Sequence, residues 1–329
     1  MEKECVISLH KWNEIKTEYG IAFDKGDLFS PFLCPKFIDA TLKYKVFFLK
    51  SIFKRFIVAK GVFCDGVVYA PLFIGKKSIS LIGDYTSASY TGFVFTDNIQ
   101  KESIKTFVTE LTKKFKRDFI FEKIMPSDGI CNVLSLSNGT DCMRAVFNSS
   151  FDDYFNSLSK SVRQNYRTAI NRLNRENKKM HIDFYVGQRV PKKYKKQILS
   201  LYVKRSKQWS KKNRSILSFF HRRFFDLMNN NLDKIENSFC SIVFIDNDIC
   251  GFMMGAFTND HSVCSIPRLA IDTRYGVYCP GLLLIIKSAQ HLIQIGCNCL
   301  DLSRGKEQYK YRVGAKEYNL QTGIVKFIG

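Results

Sequence analysis

One order of elements can be read twice along this chain, and that repetition limits it to two successive domains of one kind. In the first half, polar helical text around Trp12–Tyr19 precedes two apolar runs, Arg55–Phe63 and Val67–Ile74. Cys64-Asp65-Gly66 separates them, and Asp-Gly between two apolar runs marks a hairpin. Ser78–Ile82 and Thr91–Phe95 predict short strands. Glu102–Phe115 carries Ile104, Phe107, Val108, Leu111 and Phe115 at helical spacing, and Phe119–Phe121 predicts the strand after it. The second half repeats the order. One helix is predicted over Asp152–Asn177, with Phe155, Leu158, Val162, Tyr166, Ile170 and Leu173 on a stripe. Another follows Pro191, and a third covers Phe219–Leu227. Strands Ser238–Ile245 and Ile249–Phe257 turn at Asp246-Asn247-Asp248, and Ser262–Ala270 is the third. Gly281–Ile295 is a strongly apolar helix, and Cys299–Leu302 the strand beyond it. A chain of 329 residues exceeds one ordinary core and suits two. Polar text at Asp128–Phe147, with Ser137-Asn138-Gly139-Thr140, marks the boundary. The expected class is therefore α/β (α+β), with domains 1–140 and 141–329, each a mixed, mostly antiparallel sheet flanked by helices.

Charge separates the two halves. The net charge is +21, of which residues 151–329 hold 30 basic against 14 acidic groups. Between Lys160 and Arg223 stand 20 basic residues and two acidic ones, Glu176 and Asp183. Such a field attracts anions. An acidic acceptor, a phosphate-bearing donor, anionic lipid and tRNA all fit it, and so does a merely solvated helix surface. Arg163 and Arg167, within this belt, are the candidates for binding an anionic partner or acceptor. No RNP-type aromatic motif, zinc finger or P-loop supports dedicated nucleic-acid recognition.

Eleven cysteines are an odd number without paired spacing. Cys297 and Cys299 have no second pair at zinc-ligand distance, so no metal is expected. The thiols read as reduced core residues, which predicts a reducing, cytoplasmic setting; a nucleophilic Cys lacks any local signature. Met1–Lys11 is charged and carries no signal-like apolar run. No stretch reaches the ~18 to 20 apolar residues of a membrane helix.

The segment from Ile266 to Gly314 carries the chemistry. Pro280 and Gly281 stand at a strand-to-helix junction. Pro fixes φ, and Gly admits close approach of a ligand to the backbone. The first helical N–H groups have no internal partners, and the helix dipole makes that end an anion site. A turn that merely starts a buried helix would look the same. At the end of Cys299–Leu302 and in the loop beyond it, Asp301, Arg304, Glu307, Tyr309, Lys310 and Tyr311 crowd together, where α/β sheets keep their ligands. Ion pairing that braces the fold is the alternative. His291, on the apolar helix, reads as a core or boundary residue.

Tyr278-Cys279-Pro280-Gly281-Leu282-Leu283-Leu284, then Gly296, then Asp301-Leu302-Ser303-Arg304-Gly305-Lys306-Glu307-Gln308-Tyr309-Lys310-Tyr311-Arg312 resembles the CelD/BcsL-like branch of GNAT acyltransferases, named from bacterial cellulose-synthesis clusters. Cys279 replaces that branch's Ser, Leu302 its aromatic and Lys306 its Asp. Ala70-Pro71-Leu72 with Ile82-Gly83-Asp84-Tyr85, and Ser161-Val162-Arg163-Gln164-Asn165-Tyr166-Arg167, are similar to the first-domain meander and the basic helix of the same branch. The resemblance implies two tandem GNAT-like domains, the first degenerate and the second holding the donor. It implies an acyl-coenzyme A donor, acetyl-CoA above all, and transfer to an amine or hydroxyl, often on a sugar or polysaccharide precursor. Tyr278, Cys279, Pro280, Gly281, Leu282, Arg304 and Lys310 would then bind the donor. Asp301 or Glu307 would act as base, and Tyr309, or failing it Tyr311, would protonate the leaving thiolate. Related Fem-type tandem enzymes use aminoacyl-tRNA instead. A non-enzymatic basic binding module on a degenerate fold is the third reading.

Overall fold

A computed structural model describes residues 5–26, 30–44, 53–83, 88–96, 99–126, 130–147, 150–209 and 236–329. The chain forms two compact units, residues 1–141 with 319–329, and residues 142–318. Residues 319–329, assigned from sequence to the second half, thus go with the first. The predicted helix at Phe219–Leu227, and Asp84 and Tyr85, lie outside the described residues.

In the first unit, β1 (Val6–His10), β2 (Arg55–Phe63), β3 (Gly66–Ile74) and β4 (Ser78–Leu81) form an antiparallel run. The predicted Asp-Gly hairpin joins β2 to β3, pairing Phe63 with Gly66. Gly66 has φ +152°, and a Cβ there would run into the Thr96 hydroxyl, so the turn requires glycine. β5 (Val94–Phe95) pairs with β3, and β6 (Asp118–Ile124) runs parallel to β4. Helices α1 (Trp12–Lys25), α2 (Pro35–Tyr44), α3 (Lys101–Phe115) and the short α4 (Ile130–Val133) complete it. The α3 stripe Ile104, Phe107, Val108 and Leu111 is fully buried, and Phe107 meets Phe93 edge-on.

The second unit begins in β7 (Ser137–Val146) and continues with α5 (Phe151–Ser157), α6 (Lys160–Arg175), β8 (Met180–Val186) and α7 (Lys192–Trp209). The strands β9 (Ser238–Ile245), β10 (Asp248–Phe257) and β11 (Val263–Ile271) follow, then α8 (Pro280–Gln294), β12 (Cys299–Arg304) and the one-turn α9 (Gln308–Arg312). The last strand, β13 (Lys316–Val325), pairs through Gln321–Val325 with β6 of the first unit, which explains where the terminus belongs. Strands β8 to β11 form an antiparallel meander, and β12 is antiparallel to β7. Among the described residues of this unit, only β11 and β12 run parallel, as the α8 crossover requires. Their pairing covers just Val263–Ser265 against Cys299–Asp301, and the two strands part beyond it. Apolar α8 buries Leu283, Leu284, Ile286 and Leu292 in the core with Phe239, Met253 and Phe257.

The expected class stands, a mostly antiparallel mixed sheet flanked by helices in each unit. Several elements differ from expectation. The single helix over Asp152–Asn177 is two. The Ser159 hydroxyl accepts from the Val162 N–H at 3.4 Å, starting α6 afresh, while Ser150 caps α5. The polar text read as boundary contains β7, and β1, α2, α4, β8, α9 and β13 carry too little local signal to be foreseen. Of the eleven free thiols, eight are buried as expected; Cys64 and Cys279 are exposed.

Candidate active site

Strand β11 is followed by Asp272, whose carboxylate accepts from the Arg274 N–H and pairs with its guanidinium at 2.7 Å. That Arg274 contact holds the Asp272 carboxyl below the usual range. A 3-10 turn, Thr273–Tyr278, then leads to Cys279 in the left-handed region at φ 48°, and Pro280 opens α8. The Leu282 and Leu283 N–H groups both donate to the Cys279 carbonyl, at 3.0 and 3.1 Å. Pro280 has no N–H. The Gly281 N–H is therefore the donor this helix start can offer to an anion, and the Leu282 amide, expected to share that task, is already satisfied.

Cys279, Pro280, Gly281 and Leu282 line one part of a 570 Å³ cavity. Lys204 and Arg205 of α7 line another, and Glu307, Tyr309 and Arg312 a third. A second cavity of 480 Å³ opens where β11 and β12 part, lined by Tyr202, Arg268 and Arg304. Arg205, Leu269, Glu307 and Tyr309 line both cavities and so stand between them. Arg205 is held there because it donates to the Leu269 carbonyl.

The loop after β12 is braced by Lys310. This side chain is 1% exposed, and its Nζ donates to the carbonyls of Ser303 (3.1 Å), Arg304 (2.6 Å) and Gly305 (3.0 Å). Glu307 Oε2 lies 3.0 Å from the same nitrogen. An ammonium has three donors, and these carbonyls engage them, so Lys310, expected to bind the donor, is turned toward the loop backbone at the edge of the second cavity. Burial pushes its pKa down, and Glu307 opposes that shift. Ser303 at φ 62° and Gly305 at φ 95° curl the backbone so that these carbonyls converge.

Asp301 also proves internal. It is 1% exposed and accepts from the Ser303 N–H at 2.7 Å and the Tyr318 hydroxyl at 2.8 Å. It lines neither of these two cavities, and its contacts tie the end of β12 to the loop that follows. Burial raises its pKa. Glu307 and Tyr309 are the two expected catalytic residues that reach the cavities. Burial also raises the Tyr309 pKa, which keeps the phenol protonated at neutral pH and able to donate a proton.

Other expected residues fall elsewhere. The Tyr278 hydroxyl donates to Glu176 at 2.6 Å, and Tyr311 is tied to Glu317. Arg304 lines the second cavity, away from the Gly281 wall. Arg163 donates to the Asn156 carbonyl at 2.9 Å, bracing the α5–α6 junction, and Arg167 is exposed; neither lines either of these two cavities. Asn165, Tyr202, Lys204, Arg205 and Arg268 were not foreseen. The α7 residues among them sat inside the basic belt, but nothing in the belt's composition separates them from their neighbours.

Residues 160–311 match the family described as Acetyltransferase (GNAT) domain. No curated protein matches the chain significantly. Among solved structures, the chain is similar to FemX, at 12% identity and a TM-score of 0.63, over 98% of this chain and 96% of that one. It is also similar to the C-terminal domain of a putative lysylphosphatidylglycerol synthetase from Agrobacterium fabrum, at 12% identity and TM-score 0.57, over 96% and 93%. A tandem GNAT protein from the clavulanic acid biosynthesis pathway aligns at 9% identity and TM-score 0.50, over 100% and 99%. At such identities the likeness is one of fold, and that fold is the tandem GNAT type.

Proposed function

We propose that the second unit is an acyltransferase that takes its acyl group from a coenzyme A thioester, acetyl-CoA above all, and passes it directly to an amine or hydroxyl. One observation carries this reading: Glu307 and Tyr309 line both the cavity that contains the Gly281 helix start and the cavity behind it. A donor with its diphosphate at the Gly281 N–H would direct its thioester toward those two side chains, and an acceptor would meet it from the other side. Glu307 then takes the proton from the attacking group as the new C–N or C–O bond forms. The tetrahedral intermediate expels the thiolate, and Tyr309 gives that sulfur its proton. No enzyme nucleophile is needed. The resemblance to the CelD/BcsL-like branch supports a sugar or polysaccharide precursor as acceptor, and the free thiols agree with a cytoplasmic setting.

A second reading is favoured by the fold likeness to FemX and to the putative lysylphosphatidylglycerol synthetase, together with the basic α6 and α7: an aminoacyl-tRNA donor. Donor dependence separates the two. Under the first reading, Gly281→Val raises the coenzyme A dissociation constant more than tenfold, about 1.4 kcal/mol. The added Cβ would lie 3.2 Å from Ile271 Cγ1, a contact that a small shift relieves, so the fold should survive. A folded Gly281→Val protein that binds coenzyme A as tightly as wild type would refute donor binding at this helix start.

A further inference from the structure

The 480 Å³ cavity is more basic than acyl transfer alone requires. Three arginines line it, Arg205, Arg268 and Arg304. The carboxylate in its lining, Glu307, lies 3.0 Å from Lys310 Nζ, so the two offset each other locally. Arg268 is the informative member. It comes from β11, is only 8% exposed, and packs its guanidinium 5.5 Å from the centre of the Tyr202 ring. It donates to the Pro267 carbonyl at 2.9 Å. Desolvating a guanidinium is expensive, and its planar fork is suited to grip a carboxylate or phosphate through two parallel bonds. Arg304, from the facing strand, is exposed and lines the same cavity.

We infer that this cavity receives the acceptor, and that the acceptor is a small amine or alcohol carrying a carboxylate or phosphate, which Arg268 and Arg304 hold. The inference rests on the acyl-transfer reading and adds the acceptor's chemistry to it. An oxyanion gripped by Arg268 and Arg304 leaves the other end of a small molecule free to extend toward Glu307 and Tyr309 on the shared wall. A cavity of 480 Å³ lies within the range of small-ligand sites. It suits an amino acid or a sugar phosphate better than an extended polymer.

The test is calorimetric titration of the full-length protein with inorganic phosphate and, separately, with acetate, at constant ionic strength and with coenzyme A present in excess. Coenzyme A keeps the Gly281 helix start occupied. Saturable binding of one or both anions, weakened tenfold or more in Arg268→Gln and in Arg304→Gln, is the expected result; the tighter anion identifies the acceptor's charged group. Arg304 is exposed, so its variant should fold even if Arg268→Gln does not. Anion binding that is absent in wild type, or unchanged in Arg304→Gln, overturns the inference while leaving the donor reading intact. Loss of coenzyme A binding in wild type would strike the donor reading instead. The anion titrations, repeated without coenzyme A on Gly281→Val, would still decide the cavity.

Discussion

Lys310→Met removes the ammonium while keeping an unbranched chain in a buried slot. Four oxygens would lose this contact: the carbonyls of Ser303, Arg304 and Gly305 and the carboxylate of Glu307, all within 3.1 Å of Nζ. A buried acceptor left unpaired costs about 1–3 kcal/mol. Ser303 is 6% exposed, so water does not readily replace the contact its carbonyl loses, whereas water reaches exposed Arg304 and half-buried Gly305 more easily. Stripping one partner from a buried ion pair costs about 3–5 kcal/mol. The Glu307 side chain is 28% accessible, which lowers that figure, and relief of the lysine's own desolvation lowers it again. The net expectation is a loss of about 3 kcal/mol. For a unit of this size each kcal/mol moves Tm by about 2–4 °C, so the shift should be about 6–12 °C. Urea denaturation followed by circular dichroism measures the loss, and Lys310→Met/Glu307→Gln should recover part of it by removing the stranded carboxylate. A loss below about 1 kcal/mol, with a weaker donor affinity, would refute the brace and return Lys310 to ligand binding.

Three further outcomes follow from the same site. Tyr309→Phe and Glu307→Gln should each lower kcat by roughly 10²-fold, the scale of a positioned acid or base. Tyr309→Phe should keep its Tm, whereas Glu307→Gln should melt somewhat earlier because it unpairs Lys310. Early melting of both with normal turnover of the folded fraction would make the loop purely structural. Asp301 holds its proton more tightly folded than unfolded, so wild-type stability should lose a component as pH rises from about 3.9 through the raised folded value. Asp301→Asn lacks that component, so its stability relative to wild type should improve between pH 4 and pH 7 in urea unfolding; a relative decline would contradict the burial argument. Ser159→Ala should cost about 1 kcal/mol through loss of the α6 cap and leave kcat unchanged, as denaturation and steady-state rates would report.

Local pattern was enough for the β2–β3 hairpin, the β9–β10 turn, α3, the start of α8 at Pro280 and the crowding of Asp301 to Arg312. Each depends on neighbours within a few residues: an Asp-Gly turn, a 3.6-residue stripe, a proline that presets φ. The division of labour inside that crowd was not legible. Asp301, Glu307 and Lys310 are all charged and near one strand end, yet Asp301 is buried away from both cavities, Lys310 is buried at the edge of one, and Glu307 lines both. What separates them is how the chain curls through Ser303 and Gly305 and which distant segments cover it. Tyr318 reaches Asp301 from 17 positions away. Arg205 reaches Leu269 across 64 positions and so fixes the wall between the cavities. The cleft exists because β11 and β12 pair over three residues and then part, and pairing length is a property of two strands joined by a helix rather than of either alone. Charge and periodicity are carried by the sequence; burial, and with it the work each charge can do, is conferred by contacts that only the folded chain brings together.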